Sequence, residues 1–125
     1  MPRIFIIFAS FSALIAVIMG AFAAHALKQQ LSPALLNAVQ TGVQYQMFHA
    51  LALLLVALMA IVKPDLSGLT ASGLAFILGS LLFSGSLYAL ALGAPHWLGP
   101  ITPLGGLCFM AGWLLLVRAA WRAKF

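Results

Sequence analysis

The sequence predicts an all-α membrane protein: four transmembrane helices in a compact up-down bundle, with both termini on the same side. Three observations carry that expectation. Only 6% of the 125 residues are charged, whereas the surface of a soluble domain calls for roughly 25%. Four apolar runs, at about residues 4–25, 33–62, 69–92 and 103–122, each reach the roughly 20 helical residues needed to cross about 30 Å of hydrocarbon. Proline- and glycine-bearing stretches separate the later runs, and one domain accounts for all of residues 1–125. The net charge of +5 and the pI near 10.2 would point to nucleic acid in a soluble chain. Here the cations flank apolar runs, so topology and anionic lipid headgroups account for them, and no nucleic-acid partner is expected. Cys108 is the single cysteine, which excludes an intrachain disulfide.

The first run follows Arg3 and ends among Ala21, Ala23, Ala24 and Ala26, a pattern shared with signal peptides. Its apolar length exceeds the roughly 7–15 residues of a signal core, so it reads as a retained helix. Ala9, Ala13, Ala16, Gly20 and Ala23 fall at spacings of three and four, a face suited to close helix contact. Residues 25–31 read as a loop. Ser32 and Pro33 then form a helix start, an N-cap followed by proline at the first helical position.

The stretch from Asn37 to His49 is the most polar part of the chain and runs directly into an uninterrupted apolar segment. A helix over residues 33–62 would be about 45 Å long at 1.5 Å per residue. Either its first turns stand outside the hydrocarbon, or it bends near Gly42. Asn37, Gln40, Thr41 and Gln44 share an arc of about 100°. They line a water-filled entrance or form a solvated helix end.

Pro64 stops this helix, and residues 63–68 make a short loop in which Asp65 stands beside Lys63 as a surface pair. In the third run Ser72, Gly79, Ser86 and Gly93 recur every seven residues, a seam for left-handed packing. Residues 93–101 form an uncharged turn-rich loop. Thr102 and Pro103 repeat the cap-and-proline start, and the fourth run has its own small seam at Gly105, Cys108, Gly112 and Ala119. Four spans put Arg3, Lys63, Arg118, Arg122 and Lys124 on one side against Lys28 on the other, so the positive-inside rule predicts cytoplasmic termini.

With that topology, His25, Tyr45, His49, Ser84, Ser86 and Tyr88 gather in the outward half of the bundle as a candidate polar cluster. At these residues a resemblance emerges. Gly20-Ala-Phe-Ala-Ala-His25, Thr41-Gly-Val-Gln-Tyr-Gln-Met-Phe-His49, Leu82-Phe-Ser-Gly-Ser-Leu-Tyr88, and Thr102-Pro-Leu-Gly-Gly106 with Gly112-Trp113 resemble the motifs of the YgdD-like family of small multi-pass membrane proteins. Its animal relatives form the transmembrane protein 256 group. The resemblance spans almost the whole chain and implies a four-helix protein of the bacterial inner membrane. The family carries a domain of unknown function, so it supplies no catalytic residues.

An ionisable residue in a membrane helix is by default a functional-site hypothesis. His49 also has a simpler reading as a neutral imidazole bonded to a neighbouring span, and this one is preferred. No cofactor or metal site is expected, because the depths of His25 and His49 do not match and neither His96 nor Cys108 adds a ligand spacing. Asp65 is the only carboxylate side chain, which removes paired-carboxylate catalysis and an acid–His–Ser triad in the outer half. The expectation is a non-enzymatic protein acting through helix packing with membrane lipids, another copy of itself, or another membrane protein. The alternative is binding or conduction of a small amphipathic ligand, a lipid or quinone, at the outward polar cluster.

Overall fold

The computed structural model describes residues 1–125, and every regular element in it is helical. The chain runs as α1 (Pro2–Ala24), a short α2 (Ala26–Gln30), α3 (Pro33–Val62), α4 (Leu69–Ala91), a 3₁₀ turn (His96–Leu98) and α5 (Ile101–Arg122). Four of these helices are long and apolar enough to cross a membrane. They form the up-down bundle expected from the hydrophobic runs.

Local chemistry explains most boundaries. Ser32 Oγ accepts the Leu35 N–H at 3.3 Å, and Pro33 occupies the first turn of α3, where its missing N–H costs nothing. The helix then continues to Val62 without interruption and stops before Pro64. Gly93, at φ +99°, closes α4: its N–H donates to Leu90 O and the Ala94 N–H donates to Ala89 O. A left-handed glycine is the usual way to satisfy the last carbonyls of a helix.

Four local expectations are corrected. The loop after His25 contains the helical turn Ala26–Gln30. α5 begins at Ile101, and Thr102 does not cap it, because its hydroxyl is engaged by Ser86. Lys63 is not held by Asp65; its ammonium donates to the Lys124 carbonyl at 2.8 Å and lies 5.1 Å from the Phe125 ring centre. The third span is not a uniform α-helix, since Ser80–Ser84 form a π-helical turn between Leu69–Gly79 and Gly85–Ala91.

α3 is the centre of the bundle. Val39, Gly42, Gln46, His49, Leu53 and Val56 are buried and recur at intervals of three and four, which places them on one helical face. The small residues of α1 meet that helix; Ala9, Ala16 and Ala23 are buried, and a Cβ on Gly20 would touch Val43 at 3.4 Å. α4 and α5 lie together through glycines that receive aromatic rings. Phe109 sits over Gly79, Phe76 over Gly112, and Phe5 of α1 over Gly73. The closest backbone approach is at Gly105, where an added Cβ would lie 2.3 Å from the Phe83 backbone nitrogen.

The seam of the third run is used inside the chain. Ser72 donates to the Gly112 carbonyl at 2.8 Å, Gly79 receives Phe109, and Ser86 pairs with Thr102. All three face α5. Gly93 ends the helix instead of extending the seam.

Candidate functional site

Ser84, the last residue of the π turn, and Ser86, just beyond it, reach different partners; residues two apart on a helix already point about 200° apart. Ser84 donates to the Gly42 carbonyl of α3 at 2.8 Å. Two residues on, Ser86 turns to α5. Its hydroxyl donates to Phe83 O at 2.9 Å, so the bond between Ser86 Oγ and Thr102 Oγ1 must use the threonine proton.

A second network crosses three spans at mid-bundle. Tyr88 Oη donates to Gln46 Oε1 at 2.7 Å, and Gln46 Nε2 donates to Ser12 Oγ at 3.2 Å. This ties α4 to α3 and α3 to α1. Gly42 makes it possible, because a Cβ there would lie 2.8 Å from the Tyr88 ring.

His49 is held in a third arrangement. Its Nδ1 lies 2.7 Å from the Tyr45 carbonyl, and Trp113 Nε1 donates to its Nε2 at 3.0 Å. An indole N–H can only donate, so Nε2 must accept and Nδ1 must carry the proton. The geometry therefore selects the neutral Nδ1–H tautomer with both ring nitrogens occupied. Phe109 stacks on the imidazole at 3.6 Å between ring centres and 10° between planes, and Phe76 and Trp113 stand at its edges.

Ser84 and Tyr88 of α4 thus reach Gly42 and Gln46 of α3, Tyr45 and His49 of α3 pack toward Phe109 of α5, and Ser86 works between α4 and α5. His25 does not join them; it is exposed at the junction of α1 and α2. Asn37, Gln40 and Gln44 are also exposed, so that stripe lies on the outside of α3. The sequence reasoning missed Ser12, Gln46 and Trp113. Gln46 carried a readable signal, since it lies four residues from Gly42 and three from His49, on their buried face. Nothing local announced Ser12 or Trp113 as its neighbours' partners.

Chemically the arrangement is saturated. No buried side-chain nitrogen or oxygen lacks a hydrogen-bond partner. No three His, Cys, Asp or Glu side chains come together to share a metal ion. A cleft of about 120 Å³ reaches Ser12, Gln46 and Ser80 between α1 and α4, well below the roughly 300 Å³ at which small-molecule pockets begin.

Comparisons with known proteins agree on the kind of chain. A family model described as "Protein of unknown function (DUF423)" matches residues 19–106, from the end of α1 to the first turns of α5. The UPF0382 membrane protein YwdK of Bacillus subtilis is 43% identical over 118 residues, covering 94% of this chain and 96% of that relative. A UPF0382 membrane protein of Haemophilus influenzae is 44% identical over 108 residues, 86% of each chain. The UPF0382 inner membrane protein YgdD of Escherichia coli K12 is 41% identical over 122 residues, covering 98% of this chain and 92% of that relative. No solved structure matches.

Proposed function

We propose, from the premise that this chain belongs to the DUF423 family of membrane proteins of unknown function, that it is a non-enzymatic interaction protein of the bacterial inner membrane. It works through its outer helix surfaces and not through chemistry at a buried site. The inner-membrane assignment follows the name of the Escherichia coli relative.

One observation carries this reading: the buried polar atoms inside the bundle are spent on one another and on backbone carbonyls. Ser12, Gln46 and Tyr88 clasp α1, α3 and α4; Ser84 bonds α3; Trp113 and His49 join α5 to α3. A polar group inside a membrane helix forms such bonds in place of an unsatisfied group in hydrocarbon. His49 offers no lone pair to a ligand and no imidazolium to a reaction. The quinone or conduction reading lacks an observation in its favour, because His25 stands apart and the cleft beside the network is small.

Orientation supports the same picture. Lys63 meets Lys124, a Cβ on Gly68 would approach Ala119 at 3.8 Å, and Phe5 covers Gly73. The start of α1, the loop after α3 and the end of α5 therefore share one end of the bundle. That end carries Arg3, Lys63, Arg118, Arg122 and Lys124, which favours cytoplasmic termini.

The small-residue seams are consumed within the chain, so partner contacts fall on the lipid-facing sides. Single cysteines replacing Phe11, Leu55, Leu78 and Leu114, in a Cys108→Ser background, place one probe on each span at an exposed position. Crosslinking in native membranes is expected to yield one adduct, a homodimer or a defined partner, confined to one or two faces. Monomer alone from all four probes would contradict the proposal.

A further inference from the structure

The end of the bundle opposite the α1–α2 junction holds a second cluster that the polar network does not use. Arg118 and Arg122 lie four residues apart on the last turns of α5, one above the other on the same face. Lys124 follows them, and Lys63 caps α3. These four cations converge on two adjoining clefts. The larger, about 220 Å³, is lined by Lys63, Asp65, Ser67, Arg122 and Lys124 among others. The other, about 200 Å³, is lined by Ser67, Gly68, Arg118 and Arg122 among others. Asp65 is the only acidic side chain in the molecule, so the clefts carry a strong positive excess. The carbonyl of Lys124 and the ring of Phe125 position the Lys63 ammonium, but neither carries a formal charge to cancel it.

Beside the basic clefts lies an apolar groove of about 340 Å³, lined by Leu58, Met59, Val62, Leu66 and Phe125 together with Lys63. Lys63 and Leu66 line both the groove and the larger basic cleft. Leu58 and Val62 are one helical turn apart, so the groove runs along α3 from the charged end toward the hydrocarbon.

We propose that clefts and groove together form a binding site for one anionic glycerophospholipid. The phosphate sits between Lys63, Arg118 and Arg122, where two guanidinium forks match its oxygens. An acyl chain lies along Leu58, Val62 and Leu66. A basic pocket between membrane helices suits an anionic headgroup. A zwitterionic headgroup brings its own cation into a site already rich in them. The groove distinguishes a lipid phosphate from free phosphate, and the site stands whichever way the termini face.

The test is native mass spectrometry of the full chain, released from micelles containing equal amounts of phosphatidylglycerol and phosphatidylcholine with identical acyl chains. The wild type is expected to retain phosphatidylglycerol over phosphatidylcholine by about tenfold, and Lys63→Gln with Arg122→Gln to bring that ratio close to unity. Val62→Trp, which fills the groove without changing charge, is expected to weaken retention of both lipids. Excess inorganic phosphate is expected to leave the lipid adduct in place. Equal retention of the two lipids by the wild type would overturn the proposal without any variant being made. A preference that survives loss of both charges would overturn it too, as would displacement of the lipid by inorganic phosphate.

Discussion

Replacing Gly105 with alanine is expected to force α4 and α5 apart at their tightest point. A Cβ at Gly105 would lie 2.3 Å from the Phe83 nitrogen and 2.7 Å from its Cα. Both are backbone atoms in the middle of a span, so no side chain can rotate away. Restoring ordinary contact requires the two helices to separate by roughly 1 Å, and overpacking of this kind costs about 1–3 kcal/mol. The separation also pulls on the Ser86–Thr102 bond one turn away, and an interhelical hydrogen bond in a membrane protein stabilises by about 0.6 kcal/mol. Relative to Gly106→Ala, the expected loss is therefore about 1.6–3.6 kcal/mol. Gly106 is the internal control, since its Cβ would meet only the Phe83 ring edge at 3.9 Å. Reversible unfolding in bicelles, followed for wild type, Gly105→Ala and Gly106→Ala, measures the difference. Gly105→Ala within about 0.5 kcal/mol of Gly106→Ala would refute the reasoning, because two adjacent helix glycines share the same propensity term of at most about 1 kcal/mol.

Two further predictions concern polar groups. Tyr88→Phe removes the donor to Gln46 Oε1 and is expected to destabilise the bundle by about 0.6 kcal/mol, with about 1.7 kcal/mol as the upper bound; a double-mutant cycle with Ser12→Ala in the same unfolding assay should show coupling through Gln46. Ser32→Ala removes the N-cap acceptor of α3 and is expected to cost about 1 kcal/mol locally, seen as faster hydrogen exchange at the Leu35 amide with no change in the exchange of Val56.

The four spans, the Ser32–Pro33 start and the stop at Pro64 were legible because each rests on local chemistry: apolar length, a capping oxygen, a missing N–H. The heptad of small residues in the third run was legible for the same reason, and Ser72, Gly79 and Ser86 do face one neighbour. What the sequence hid is relational. The π turn at Ser80–Ser84 has no composition of its own that a sequence pattern reports. Thr102 reads as a cap beside Pro103, yet its hydroxyl pairs with the buried Ser86 across the α4–α5 contact. Of the polar cluster, Ser84 and Tyr88 reach Gly42 and Gln46 of α3, and Tyr45 and His49 pack toward Phe109; His25 stands apart, because depth alone does not fix which way a helix end faces. In the sequence Trp113 stands only as part of a motif. Its role as the donor to His49 depends on the rotation of α5 against α3, which no spacing within one helix reports.

The polar interior closes on itself, and His49, with both ring nitrogens occupied, is where that closure is sharpest. ¹⁵N NMR of histidine- and tryptophan-labelled protein in lipid bilayers reads it directly. The structure predicts a neutral His49 ring protonated on Nδ1, with Nε2 coupled to the Trp113 indole proton across a 3.0 Å bond. Trp113→Phe should abolish that coupling and leave the tautomer's Nδ1–H on the Tyr45 carbonyl. An Nε2–H tautomer, an imidazolium, or an Nε2 without a coupled indole proton would contradict the closed network and return His49 to the list of groups free to bind or react.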